Sequence, residues 1–168
     1  MKSPNLIYLS SIFCIFTVYI SAVEENIDNT LQAQSMLAVL YAQSSAEYDA
    51  NNIQTYTGAK LALDVALTEK NWTAAIEQKG NFVDKPPAVI LDIDETVLNN
   101  IPFQARAIIK GEGYPNGWIE WMLEEASTSV AGVKDFLDYA GRKGIKVFYV
   151  TNRVAIAEEA TRNNLKKL

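Results

Sequence analysis

The spacing of apolar and polar residues changes several times along the chain, and each change marks an element. Leu6 to Ile20 is an apolar run broken only by Ser10, Ser11 and Thr17, with Lys2 ahead of it and Ser21-Ala22 then Glu24-Glu25 behind. A charged start, an apolar stretch and small residues before a polar segment describe a targeting leader, so cleavage after Ala22 is expected and 1–22 is assigned as a signal peptide. The run also lies near the lower limit for crossing a bilayer, which leaves an uncleaved anchor as the other outcome. From Asn26 to about Gly80 the pattern is helical. Asp28-Asn29-Thr30 offer N-caps. Leu31, Gln34, Ser35 and Leu37 open a helix that continues through Val39, Leu40 and Tyr41 towards Tyr48. Asn51-Asn52 is expected to interrupt it. A second helix is predicted from about Ile53 to Thr68 with Tyr56, Leu61, Leu63 and Leu67 as apolar positions, and a third, short one near Trp72 to Ile76, ending at Gly80. Residues 23–80 therefore form an N-terminal helical region, a layer laid on a sheet.

Gly80 to Pro87, with its glycine, aspartate and paired prolines, is boundary chemistry. The pattern then becomes that of an α/β protein over 81–168. Ala88-Val89-Ile90-Leu91 reads as a short buried strand entered from a stiff turn. Tyr114-Pro115-Asn116-Gly117 is a turn, and Trp118 to Ala126 a helix. Val133, Phe136, Leu137 and Ala140 follow the i, i+3, i+4, i+7 rule within a helix placed at Val130 to Gly144, with Gly144 as its stop. Ile145 to Val150 is a second strand. A helix between two strands implies a right-handed crossover and a parallel sheet. Val154 to Leu168 begins another helix with Ile156, Ala160 and Leu165 near one face.

Composition narrows the chemistry. At 168 residues, 49% hydrophobic and 21% charged, the chain is long enough for one domain with a real core. Its net charge of −5, with no basic cluster, argues against polymeric nucleic acid as a partner. There is no histidine, and the single cysteine, Cys14, lies in the leader. Ser-His-Asp triads, most zinc sites, thiol nucleophiles and disulfides are thereby excluded from the mature chain. Carboxylate chemistry remains.

The carboxylates stand at the end of the first strand, in Leu91-Asp92-Ile93-Asp94-Glu95-Thr96. Like charges this close cannot all stay ionised without compensation. Open α/β sheets bind ligands just beyond the carboxyl ends of their strands, and a hard cation held by oxygen ligands is the natural compensation. Mg2+ suits a site with few carboxylates and an incoming phosphate. In an extended segment Asp92 and Asp94 point the same way, so one can attack phosphorus while the other moves a proton. Thr96 can fix the turn through its hydroxyl. The alternative is a solvated acidic loop. At the end of the second strand, Thr151-Asn152-Arg153 places a hydroxyl, an amide and backbone N–H groups near Asp92, where they could hold phosphate oxygens, although alone the tripeptide is an ordinary turn. Trp118 and Trp121 are three apart and share a helix face, either as core or as a stacking platform for a substrate ring. Asn71-Trp72-Thr73 matches a glycosylation sequon, a weak pattern.

The stretch Asp92-Ile93-Asp94-Glu95-Thr96-Val97-Leu98-Asn99-Asn100 resembles the first motif of the haloacid dehalogenase superfamily, and in particular of its subfamily IIIB acid phosphatases, the class C type that includes bacterial outer-membrane 5'-nucleotidases. Ile101-Pro102-Phe103-Gln104 and Ser45-Ala46-Glu47-Tyr48 are similar to that family too, so the resemblance covers most of the chain after residue 30. It implies a Rossmann-like core behind the helical region and an exported, Mg2+-dependent phosphatase acting on small phosphomonoesters, 5'-nucleotides or aryl phosphates among them. It further implies Asp92 as nucleophile, Asp94 as acid and base, both at the metal, and Thr151 and Asn152 on the phosphoryl group. Residence would be periplasmic, outer-membrane-associated or secreted, with membrane association through the N-terminal segment. Many relatives are lipoproteins, but Ile12-Phe13 before Cys14 are not the small residues of a lipoprotein site. The family also needs a later lysine and a later acidic pair. Lys166 and Lys167 come too soon for the first, and no acidic pair follows, so the chain is expected to be part of a longer enzyme. Without that remainder, the alternative is an exported binding or storage protein that keeps the fold. Nothing in the sequence fixes the oligomeric state.

Overall fold

The computed structural model describes residues 34–168. The expected leader, and the caps at Asp28-Asn29-Thr30, lie outside them. Among the described residues, no helix is long and apolar enough to cross a membrane.

Two helices lead. Helix α1 spans Met36–Ser44 and α2 spans Ala46–Thr68. The break falls at Ser45, not at Asn51-Asn52, which lie inside α2. The cause is capping. Ser45 is extended (φ −86°, ψ 121°), and its hydroxyl accepts from Glu47 N and Tyr48 N, satisfying donors that a helix start leaves open. The asparagines offer no such cap and are only modestly unfavourable within a helix. The third expected helix near Trp72 is also absent. Thr73 Oγ1 accepts from Ala75 N at 3.1 Å and donates to Gln78 at 2.6 Å, so side-chain bonds replace a helical ladder in this stretch of turns.

Strand β1 (Ala88–Leu91) pairs in parallel with a later strand, Lys146–Tyr149, in the register Val89 to Val147 and Ile90 to Phe148. Between them come β2 (Leu98–Asn99), helix α3 (Ile101–Lys110), helix α4 (Trp118–Glu124), β3 (Thr128–Ser129) and helix α5 (Val133–Arg142); the parallel partner of β1 is thus β4. The expected parallel α/β core and its crossover helix are both present. The antiparallel β2–β3 pair, two residues long on each side, and α3 are additions to the sequence reading. Helix α3 carries Pro102 in its first turn and ends at Gly111 in the left-handed region (φ 67°), where a residue without Cβ is strain-free. The chain closes with a 3-10 turn, Ala155–Ala157, and helix α6, Glu158–Lys166.

One face of the β1–β4 ribbon is covered. Val89 and Leu91 pack on a core of Tyr56, Val97, Val130, Val133 and Phe136, which joins α2, the loop after β1 and α5. The other face is open: the register partners Ile90 and Phe148 are 65% and 51% exposed. The strand expected to be buried is therefore half-buried, because the described helices cover one face of the ribbon.

Helix α2 also touches the loop that follows β1. Tyr56 is buried, and its hydroxyl donates to the Thr96 carbonyl at 2.5 Å. Burial, with the Tyr149 phenol adding, pushes the Tyr56 hydroxyl above its ordinary value and keeps it a donor. Gly132 lets α2 come close, since a Cβ there would meet the Ile53 backbone at 3.0 Å. Replacing Tyr56→Phe should lower stability by about 1–2 kcal/mol, the effect of stranding one part-buried carbonyl. Urea unfolding with an unchanged midpoint would show that the bond adds nothing.

Candidate active site

Strand pairing brings the two sequence motifs together. The Val150 N–H donates to the Leu91 carbonyl at 2.9 Å, so the residues that follow, Thr151 and Asp92, leave neighbouring strands at the same end of the ribbon. The chain after Asp92 turns sharply. Val97 N and Leu98 N both donate to the Ile93 carbonyl, at 2.8 and 2.9 Å, and Glu95 N donates to the Leu98 carbonyl at 2.9 Å. Glu95 itself sits in the left-handed region at φ 53°, a conformation held by these bonds and by its own carboxylate, which accepts from Asn100 N at 2.9 Å.

The carboxylates differ in environment. Asp92 is exposed, whereas Asp94 is half-buried, and the side-chain bonds of this loop converge on Asp94. Its Oδ1 accepts from Arg153 Nη2 at 2.7 Å, Arg153 Nε at 3.0 Å and Asn100 Nδ2 at 2.9 Å; Oδ2 receives only a 3.3 Å contact from Arg153 Nε. The Arg153 side chain is 2% exposed, and its Nη1 donates to Thr161 Oγ1 at 3.1 Å. A charge this deeply buried persists because it is paired and its donors are used. Asp94 is thus oriented by a fork on one side and an amide on the other.

Burial pushes the Glu95 carboxyl above its usual value, with the Asp94 charge adding to the rise, while the Asn100 backbone N–H opposes it. A carboxyl that holds its proton more tightly folded than unfolded favours folding most at low pH, and that contribution is lost as pH rises through the folded value. Glu95→Gln keeps an acceptor for Asn100 N but cannot ionise. In metal-free buffer its stability should therefore fall less than that of the parent as pH is raised from about 4 towards neutrality. Parallel stability–pH curves for the two proteins would contradict this.

A cavity of about 220 Å³ opens beside these groups, lined by Asp94, Glu95, Gln104, Tyr114, Trp118, Asn152 and Arg153. The Arg153 guanidinium lies over the Trp118 ring, 5.5 Å from its centre, and Tyr114 meets Trp118 edge-on at 6.2 Å. Of the residues singled out in the sequence, Asp94, Asn152 and Trp118 line the cavity. Asp92, Thr96, Thr151 and Trp121 lie outside its lining. Thr96 supports the loop through its carbonyl, bonded to Tyr56. Thr151 Oγ1 accepts from Arg153 N at 3.1 Å, a local turn that sets up the arginine. Trp121 is 2% exposed and donates its indole N–H to Asn100, so the core alternative describes its place. Sequence reasoning missed Arg153, Asn100 and Ser127. Arg153 stood in a quoted motif, and Asn100 closed the other, so both carried a local signal; Ser127 carried none.

As a metal site, the donor set is partial. No group of three or more potential ligands occurs among the described residues. The Asp92 carboxylate, with a backbone oxygen near Asp94, still fits Mg2+, which commonly takes one or two carboxylates and fills the remainder with water and phosphate.

A family model for the haloacid dehalogenase (HAD) superfamily, subfamily IIIB (acid phosphatase), matches residues 18–168. Two solved structures of the class C acid phosphatase from Bacillus anthracis, one with tungstate bound, are similar to this chain, each with a TM-score of 0.71 and with identities of 35% and 36%. Each match covers 82% of this chain and 53% of the other, so the chain spans about half the length of these relatives. The chain belongs to the HAD superfamily, subfamily IIIB of acid phosphatases.

Proposed function

We propose that the protein is an exported acid phosphatase that hydrolyses small phosphomonoesters through an aspartyl-phosphate. The observation that carries this reading is the division of labour between two carboxylates two residues apart: one exposed and uncommitted to Arg153, the other oriented by Arg153 and Asn100. Asp92 is the nucleophile. Its carboxylate oxygen attacks phosphorus as the bond to the leaving oxygen breaks. Asp94 supplies the proton. Because Oδ1 is occupied by three donors, Oδ2 is the oxygen that carries it to the leaving group, and it later takes a proton from the water that attacks the acyl phosphate. Thr151 and Asn152 hold phosphoryl oxygens. Mg2+, held by Asp92 and the backbone near Asp94, would supply positive charge against the phosphate and the carboxylates.

Trp118 and Tyr114 on the cavity wall favour substrates with a flat leaving group, a nucleoside or an aryl ring. The tungstate in one similar structure, an oxyanion of phosphate-like shape, agrees with a phosphate-binding role here. Export rests on the leader and the family.

The test is phosphate release by the full-length protein from aryl and alkyl monoesters, with and without a chelator. Chelation should abolish turnover, and readdition of Mg2+ should restore it. Asp94→Asn should slow turnover by about 10²–10⁴ for alkyl esters and much less for p-nitrophenyl phosphate, which needs no proton to leave. Equal losses on the two substrates would remove Asp94 from the acid role.

A further inference from the structure

The side chain of Asn100 is fully buried, and each of its polar atoms is engaged. Its Oδ1 accepts from Trp121 Nε1 at 2.9 Å and Ser127 Oγ at 2.8 Å, with Arg153 Nη2 at 3.4 Å. Its Nδ2 donates to Asp94 Oδ1 at 2.9 Å and to the Leu98 carbonyl at 3.4 Å. The partners dictate which way the amide points. An indole N–H can only donate, and the Asp94 Oδ1, which already takes two guanidinium N–H groups, can only accept. Turning the amide over would set N–H against N–H on one side and oxygen against carboxylate on the other. Asn100 is therefore a one-way connector between the indole and the acid.

The far side of this connector is anchored as well. Ser127 N donates to Asn164 Oδ1 at 3.1 Å, and Asn164 Nδ2 donates back to the Ser127 carbonyl at 2.8 Å. Ser127 and Asn164 are 5% and 2% exposed. Helix α6 thus reaches Asp94 twice: through Asn164, Ser127 and Asn100, and through Thr161 and Arg153. A buried polar group of this kind is costly unless every member is satisfied, and when satisfied it admits few alternative geometries.

We infer that Asn100 is a positioning residue for Asp94, fixed by Trp121 and by the Ser127–Asn164 pair, and that it occupies Oδ1 so that Oδ2 carries the proton. Asn100 is fully buried and outside the cavity lining, so it acts on the reaction through Asp94. The inference rests on the reading of Asp94 as the acid given above. Its effect on rate follows from orientation, since displacement of a reacting group by about 1 Å can cost 10²-fold.

The experiment uses the full-length, Mg2+-loaded protein and two substrates, p-nitrophenyl phosphate and glycerol phosphate. Asn100→Ser withdraws the amide from Asp94, Ser127→Ala removes one donor to Asn100, and Asp94→Asn is the reference. Asn100→Ser should lower kcat on glycerol phosphate by about 10–100-fold and on p-nitrophenyl phosphate by less than about 3-fold, with KM nearly unchanged. Ser127→Ala should show the same bias at smaller size. In both variants the Trp121 indole N–H resonance should move in the nitrogen–proton NMR spectrum while the remaining signals stay dispersed. If Asn100→Ser does not fold, Ser127→Ala decides on the same criteria. Equal losses on the two substrates, or an unmoved indole resonance, would overturn the inference. If Asp94→Asn itself shows no leaving-group bias, the acid reading falls and this one with it. If Asp94→Asn shows the bias and the other two variants do not, only the positioning role falls.

Discussion

Asp92→Asn should abolish turnover, lowering phosphate release by roughly four orders of magnitude or more, the scale expected when an enzyme loses its nucleophile. The expectation follows from what Asp92 does and does not touch. An amide has no charged oxygen with which to attack phosphorus, and it is a poorer ligand for a hard cation. The residue is exposed, and the ion pair and side-chain bonds of its loop go to Asp94 and Glu95. Fold and stability should therefore survive the change, with a urea midpoint close to that of the parent. Activity measured on p-nitrophenyl phosphate, with circular dichroism as the control for folding, checks both halves. Normal turnover in Asp92→Asn would end the aspartyl-phosphate scheme.

Arg153→Ala has the opposite profile, with the larger effect on stability. It should destabilise the protein by about 3 kcal/mol, the lower end of what breaking a buried ion pair costs. The lower end applies because Asp94 keeps Asn100 as a donor and is itself 24% exposed on its side chain. Lysine should not rescue the loss. The guanidinium serves Asp94, Thr161 and Asn100 at once and lies over the Trp118 ring, whereas an ammonium is a single point charge without a fork. Urea unfolding of Arg153→Ala and Arg153→Lys checks this. Parent-like stability in either would mean that the pair is replaceable by water.

What was legible in the sequence divides along physical lines. The β1 and β4 strands, helix α5 and the stop at Gly144 were all visible, because each is written in local apolar spacing or in a residue with special backbone freedom. Helix ends are less legible. Ser45 outweighed Asn51-Asn52 because a cap is decided by one hydroxyl meeting two N–H groups, which composition does not reveal. Helix α6 shows the deeper limit. The sequence pointed to Ile156, Ala160 and Leu165 as its inner face, yet Ile156 is 74% exposed, and the buried positions are Ala157, Ala160, Thr161 and Asn164. Those four still keep helical spacing. Two of them are polar, and a search for apolar stripes passes over polar residues whose partners lie far away in the chain. The site divides the same way. Asp92, Asp94 and Thr151 announced themselves as motifs at strand ends, whereas the Asn100 cluster is assembled from residues 94, 121, 127 and 153.

The Asn100 cluster also sets terms for how this family can drift. Side chains that share one acceptor do not mutate independently, and their effects on stability depart from additivity. A change at Ser127 alters what Trp121 and Arg153 must supply to the same Asn100 oxygen. Substitutions at these positions are therefore epistatic: a variant neutral in one background is harmful in another. Among descendants of a common ancestor, residues 100, 121, 127 and 164 should be inherited as a set or replaced as a set, while exposed positions of α6 such as Glu159 and Lys166 turn over one at a time.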